Sequence, residues 1–247
     1  MLGKALVRTL SLTSALAAMA LTAVPAAASG DYISNAGGAD VSWPQCGQPL
    51  PAIPQETFGI VGVNGGETFT MNPRFKQEWD WMKNGHAASP SVYINLNFGS
   101  TTEGYSQCLA EDAACAAYDF GYRAAEWAYT RGNYVTNGES LHASTWWLDV
   151  ETMSDWSDDQ HVNARVVAGA IDYLKTTGHK IGVYSTRGQW HQITGGYNPG
   201  PGIGNWVAGA DGLDDYSLCY RSFWAGAPVW LIQYLNWDRD LDEDHSC

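Results

Sequence analysis

The sequence predicts an α/β protein whose elements fit a modified eight-stranded barrel. Three observations predict it: short β-rich runs alternate with helical patterns, the alternation gives way after Ile193 to strands with little helix between them, and no glycine-rich nucleotide loop follows the first strand. Strands that alternate with helices build βα units around a parallel sheet. An open doubly wound sheet is the alternative, although neither Gly-x-Gly-x-x-Gly nor a Walker sequence supports nucleotide binding.

Taken in order, "GADVSW", "FGIVGVNG" and "SVYINLNFG" are the first three strands. Between the second and third, a helix is expected from Pro73 to Asn84, with Asn72 as cap and proline at its first position. "AACAAYDFGYRAAEWAYTRG" reads as a long helix ending at Gly132, and "TWWLDVET" as the fourth strand. A helix from Val162 to Thr177 closed by Gly178, the strand "KIGVYST" and a shorter helix from Arg187 to Ile193 follow. "NWVAGA", "VWLIQYL" and a short "DRDLD" complete the pattern. Five βα units and then three strands make a modified TIM-type (β/α)5β3 barrel, here as a single domain over residues 31–247.

The first residues read as a separate signal. Lys4 and Arg8 precede an apolar run from Leu10 to Val24, and Ala26, Ala27 and Ala28 supply a small-residue cleavage pattern. That run is about fifteen residues, short of the roughly twenty that a bilayer-spanning helix needs. Removal of residues 1–28 and export are therefore expected, with the product extracellular or attached to the cell wall. No later stretch is apolar enough to span a membrane.

The chain has 13 Lys and Arg against 26 Asp and Glu, a formal charge of −13, and loss of Lys4 and Arg8 deepens it by two. A surface of that sign repels phosphate backbones, so nucleic acid is excluded as a partner class. Export permits disulfides among the 5 cysteines. The expected pairs are Cys108 with Cys115, closing a short loop, and Cys219 with Cys247, tying down the C-terminus. Cys46 is left over.

Side chains alternate along a strand, so Asp149 and Glu151 share a face of "TWWLDVET", with Trp147 before them. Two neighbouring carboxylates repel, which raises one pKa towards what a general acid needs. A lone Asp-x-Glu is usually a solvated strand end. Two features distinguish this one: it closes its strand at the end where barrel active sites are assembled, and Asp40 and Asp240 fall in the first and last strands, which are neighbours in a closed barrel. Asp238 and Asp242 share the parity of Asp240.

"GADVSWPQC", "WWLDVET", "IGVYST", "NWVAGA" and "VWLIQY" followed by "DRDLD" resemble, in order, the motifs of glycoside hydrolase family 25 lysozymes. The likeness is greatest to family-25-like domains of exported actinobacterial proteins. It implies a (β/α)5β3 barrel that hydrolyses the β-1,4 bond between N-acetylmuramic acid and N-acetylglucosamine in peptidoglycan, as a monomer and without a cofactor. Glu151 would be the general acid, and Asp149 would face the developing oxocarbenium charge or orient the substrate acetamido group. Asp40 and Asp240 would hold acid and sugar in place. Tyr93, Trp147, Tyr184, Trp206 and Gln233 would line the cleft, since sugars stack on aromatic rings and hydrogen-bond through their hydroxyls. Pro44 and Cys46 after the first strand depart from a plain lysozyme, which keeps another envelope glycan open as substrate.

Two rivals remain. A non-catalytic glycan-binding barrel would keep the aromatics, 12 Trp and 13 Tyr in all, without needing the acidic pair. A calcium-bound barrel is suggested by the acids of "WDRDLDEDH", but the glycine and glutamate of a calcium loop are missing. No Gly-x-Ser-x-Gly or His-Glu-x-x-His occurs, so esterase and zinc-protease chemistries lack support.

Overall fold

The computed structural model describes residues 32–45, 49–50, 58–85, 90–99, 108, 112–212, 215–236 and 241–247. The expected signal, Cys46, Asp238 and Asp240 lie outside these residues.

Eight strands close into one barrel in sequence order, which rules out the open sheet. They are β1 (Gly37–Val41), β2 (Phe58–Gly62), β3 (Ser91–Asn95), β4 (Thr145–Asp149), β5 (Lys180–Ser185), β6 (Ile203–Ala210), β7 (Val229–Asn236) and β8 (Leu241–Ser246). Neighbours from β1 to β7 are parallel, whereas β8 runs antiparallel to both β7 and β1. Four α-helices follow β2 to β5: α1 (Phe75–Asn84), α2 (Ala113–Val135), α3 (Gln160–Thr177) and α4 (Arg187–Thr194). Among the described residues, the connection after β1 carries only a 3-10 turn, Trp43–Gln45.

Several boundaries differ from expectation; the strands β2, β3 and β4 end sooner than their β-rich runs, and two helix ends have a local reason. The first helix begins at Phe75 rather than Pro73, because the Asn72 side chain accepts from Arg74 N–H at 2.9 Å and its carbonyl accepts from Phe75 N–H at 3.1 Å, forming a turn ahead of the helix. The long helix continues past Gly132, which is buried where a Cβ would lie 3.4 Å from both Phe75 and Val63; the glycine serves packing rather than termination. The last strand begins at Leu241 instead of Asp238. Asn236 pairs with Leu241 and Leu231 with Ser246, and 238–240 of the expected strand lie outside the described residues.

The barrel interior is filled by aromatic rings set over glycines. Trp147 and Trp206 project inward with Phe58, Ile60, Trp230 and Leu231. A Cβ on Gly182 would come within 2.1 Å of the Trp147 ring, so the neighbouring strand leaves the space that the indole fills. Tyr32 plugs the lower end, its hydroxyl 2.7 Å from Ser91 Oγ and accepting the Trp147 indole N–H at 2.9 Å. Outside the strands, a second apolar layer joins Val61, Ile94, Leu148 and Val183 to the helices through Trp79, Ala125, Ile171 and Trp190.

Both expected disulfides are present, Cys108–Cys115 and Cys219–Cys247. The second ties the residue after β8 to the 3-10 turn Tyr216–Tyr220. No helix among the described residues is long and apolar enough to cross a membrane.

Candidate active site

A cavity of about 330 Å³ opens at the carboxyl ends of the parallel strands, where Asp40, Asp149 and Glu151 meet. Each is placed by its strand. Asp40 is the fourth residue of β1, and Asp149 closes β4. Glu151 lies two residues further on, in a turn held by the Trp156 indole N–H donating to the Glu151 carbonyl at 2.8 Å. Because β8 runs the opposite way, its first residues reach the mouth, and Asp242 pairs with Asp40 across the ladder. Asp242, which shares the parity of Asp240, therefore stands at the cavity, while Asp240 itself lies outside the described residues.

Tyr93, Tyr184, Trp206 and Gln233 also line the cavity. Trp147 does not. It shares the inward face of Asp149 but sits two residues deeper, fully buried in the barrel interior. Tyr184 donates to Gln233 Oε1 at 2.7 Å, and Gln233 Nε2 donates to Asp40 Oδ2 at 2.8 Å, so one wall of the mouth is a fixed hydrogen-bond chain.

Several contacts were missed by sequence reasoning. Asn95 Nδ2 donates to Asp149 Oδ2; the two residues are register partners on β3 and β4. The inward parity of "SVYIN" contained that signal, since Asn95 follows Tyr93 by two. Gln189, in the first turn of α4, carries Nε2 at 3.4 Å from Glu151 Oε1, while its own Oε1 accepts from Thr152 N–H at 2.5 Å. Nothing local in the sequence points to it. At the rim, Trp43 and Met153 are 46% and 93% exposed, and both face the cavity.

Electrostatics separates the acids. No Lys, Arg or His is among the described residues that line the cavity. Asp149 is buried, and that burial with the nearby Glu151 and Asp40 pushes its carboxyl well above the usual carboxylate range, against the lowering effect of Asn95. Burial also raises Asp40, helped by Asp242 and Glu151 and opposed by Gln233. Glu151 is half-exposed and raised by burial first, with Gln189 lowering it and Asp242 adding to the rise. Burial and adjacent like charges favour the protonated form of each carboxyl, which is the form that a proton donor needs. Glu151 combines a raised pKa with access to solvent.

Fold and site together define a closed α/β barrel that presents an uncompensated group of carboxyls, flanked by aromatic and amide side chains, at its strand ends. The model of the family described as "Lysozyme-like protein 1" matches residues 123–210. Over 88 residues the chain is 41% identical to "Probable GH family 25 lysozyme 4" of Dictyostelium discoideum, a match covering 34% of this chain and 40% of that protein. It is 31% identical over 75 residues to "Lysozyme-like protein 5" of Caenorhabditis elegans, covering 30% and 34% of the two chains. The matched stretches thus span less than half the length of these relatives. A bacterial lysozyme from Streptomyces coelicolor shares the fold at a TM-score of 0.62 and 16% identity, covering 86% of this chain and 92% of its own. A family 25 glycosyl hydrolase from Bacillus anthracis does so at 0.52 and 14%, covering 86% and 89%. The chain thus resembles lysozyme-like proteins over residues 123–210 and shares the barrel fold of these solved lysozymes over most of its length.

Proposed function

We propose that the protein is an exported muramidase that cleaves the β-1,4 bond between N-acetylmuramic acid and N-acetylglucosamine in peptidoglycan, acting as a monomer without a cofactor. The observation that carries this reading is Glu151, a half-exposed carboxyl with a raised pKa beside buried Asp149 in a cavity that has aromatic walls. Glu151 protonates the bridging oxygen as the bond from the anomeric carbon to that oxygen breaks. Asp149, steered by Asn95, orients the acetamido group whose carbonyl oxygen supports the electron-poor anomeric carbon. Water then adds at that carbon and returns a proton to the Glu151 carboxylate, which restores the acid. Asp40 and Asp242 hold the sugar from the opposite side of the mouth, and Trp206, Tyr93 and Tyr184 offer ring faces and hydroxyls. The similarity to lysozymes over 123–210 supports the assignment, because that stretch contains Asp149, Glu151, Tyr184 and Trp206. The two disulfides fit an oxidising compartment outside the cytoplasm.

Glu151→Gln keeps size and hydrogen bonding but removes the proton. Clearing of purified cell walls should fall by about 10³-fold, the middle of the range that a positioned acid contributes, while binding to the same walls persists. Full activity in this variant would sink the assignment of Glu151. Wall binding by the parent protein without any sugar release would favour a glycan-binding barrel instead. Mass analysis of the fragments names the bond through the new reducing end.

A further inference from the structure

One buried acid has no part in the chemistry above. Asp244 is fully buried on β8, two residues deeper than Asp242, and pairs with Gly38 of β1 and Gln233 of β7. Its Oδ1 accepts the Trp206 indole N–H at 2.8 Å, so it anchors a ring of the cavity wall. Its Oδ2 receives no N–H or hydroxyl donor among the described residues. Asp40 stands two residues along β1 from Gly38, the register partner of Asp244, so the two carboxyls share the interior face of adjacent strands and act on each other. Two carboxylate oxygens are both acceptors, and acceptor meets acceptor only through a proton.

Among the described residues, no cation acts on the pair. The groups that act on Asp244 are Asp40 on β1, Asp242 and Glu243 on β8, Trp206 on β6, and the phenols Tyr32 and Tyr234. Those that act on Asp40 are Asp242 and Asp244, Glu151 on β4 and Gln233 on β7, while Asp40 in turn acts on Asp149, Tyr93 and Tyr184. All are acids, phenols or neutral donors. Burying two adjacent carboxylates without a cation carries a large desolvation cost, which one shared proton relieves.

We propose that Asp244 is a positioning residue that shares a single proton with Asp40, so that the pair presents one negative charge at the base of the cleft while fixing Trp206. Gln233 holds the other side of the same unit by donating to Asp40 Oδ2. Asp149 and Glu151 then divide the protons of the upper site between them, with one fixed charge below. The inference rests on the muramidase reading only for its purpose; the shared proton stands on the geometry.

The test counts charge on the folded protein. Removing either member of a pair that already holds one proton leaves the net charge unchanged. By native capillary electrophoresis at about pH 6, above the ordinary carboxylate range, Asp244→Asn and Asp40→Asn should each migrate with the parent. The double variant should move by one elementary charge, as should an Asp158→Asn control at an exposed position. A single variant at Asp244 or Asp40 that moves by a full charge step overturns the proposal, and the two singles test it independently should one fail to fold. In parallel, Asp244→Asn retains an acceptor for Trp206 and should keep kcat/KM within about threefold, whereas Asp244→Leu should lower it by more than tenfold through KM. A parent without muramidase activity would defeat the functional reading and leave the mobilities as the test of the pair.

Discussion

Asp149 and Glu151 are two residues apart, yet their surroundings give them different work. Asp149 is fixed in the ladder, buried and held by Asn95, whereas Glu151 stands beyond the last pair of β4 with one side open and a single weak donor, Gln189. Above them, the exposed rings and thioether of Trp43 and Met153 flank the opening. An exposed indole at a polar cleft is suited to stacking on the C–H face of a sugar, a contact made before and during the reaction alike. Trp43→Ala is therefore expected to raise KM by about tenfold, the value of ~1.4 kcal/mol of aromatic contact, with kcat changed by less than about twofold. A loss confined to kcat would place Trp43 in the chemistry instead. Kinetics on a soluble wall fragment separates the outcomes.

The elements that carry these residues are positioned by a close helix contact. Helices α2 and α3 cross where Gly121 faces Gly169: a Cβ on Gly121 would lie 1.8 Å from Val166 O, and one on Gly169 would lie 2.0 Å from Tyr118 O. Both clashes are with backbone, so relief requires moving a helix rather than a side chain. Gly169→Ala should cost about 3 kcal/mol or more, despite alanine being the better helix former, and chemical denaturation will measure it. A neutral or stabilising result would mean that the helices separate without loss. Since α3 follows the turn bearing Glu151, the same variant should also reduce activity at temperatures where it remains folded. On the far side, the Cys219–Cys247 bond secures the end of β8, the strand that brings Asp242 to the mouth and Asp244 beneath it.

At the scale of the molecule, buried acid dominates the response to pH. Burial raises Asp40, Asp149, Asp244, Glu151 and Glu78 above their ordinary values. A group whose folded pKa is raised contributes stability that is fully present below its unfolded pKa and is lost as pH climbs through the folded one. His179 and His245 are lowered by burial and act in the opposite sense, losing their contribution as pH falls below about 6.5. Five raised carboxyls outweigh two histidines, and self-repulsion at a formal charge of −13 adds to the trend. The unfolding temperature should therefore decline steadily from about pH 5 to about pH 8. Calorimetry across that range checks it, and a rising curve would show that the buried acids are ionised in the folded state.

The order of strands and helices and the inward face of Asp149 were legible in the sequence, because periodicity and parity are properties of consecutive residues, whereas Glu151 lies past the end of β4, where strand parity no longer applies. Parity says which face a side chain takes but not how deep it lies, so Trp147 was grouped with the site although the barrel buries it. The reversal of β8 is a tertiary matter: it depends on a hairpin with β7 and on pairing with β1 from the other end of the chain. That reversal sets Asp242 opposite Asp40 and Asp244 opposite Gly38. Asn95 meets Asp149 through the pairing of β3 with β4, 54 positions apart, and Gln189 meets Glu151 from α4, 38 positions on; the inward face of Asn95 was legible, but the partner each side chain meets was not.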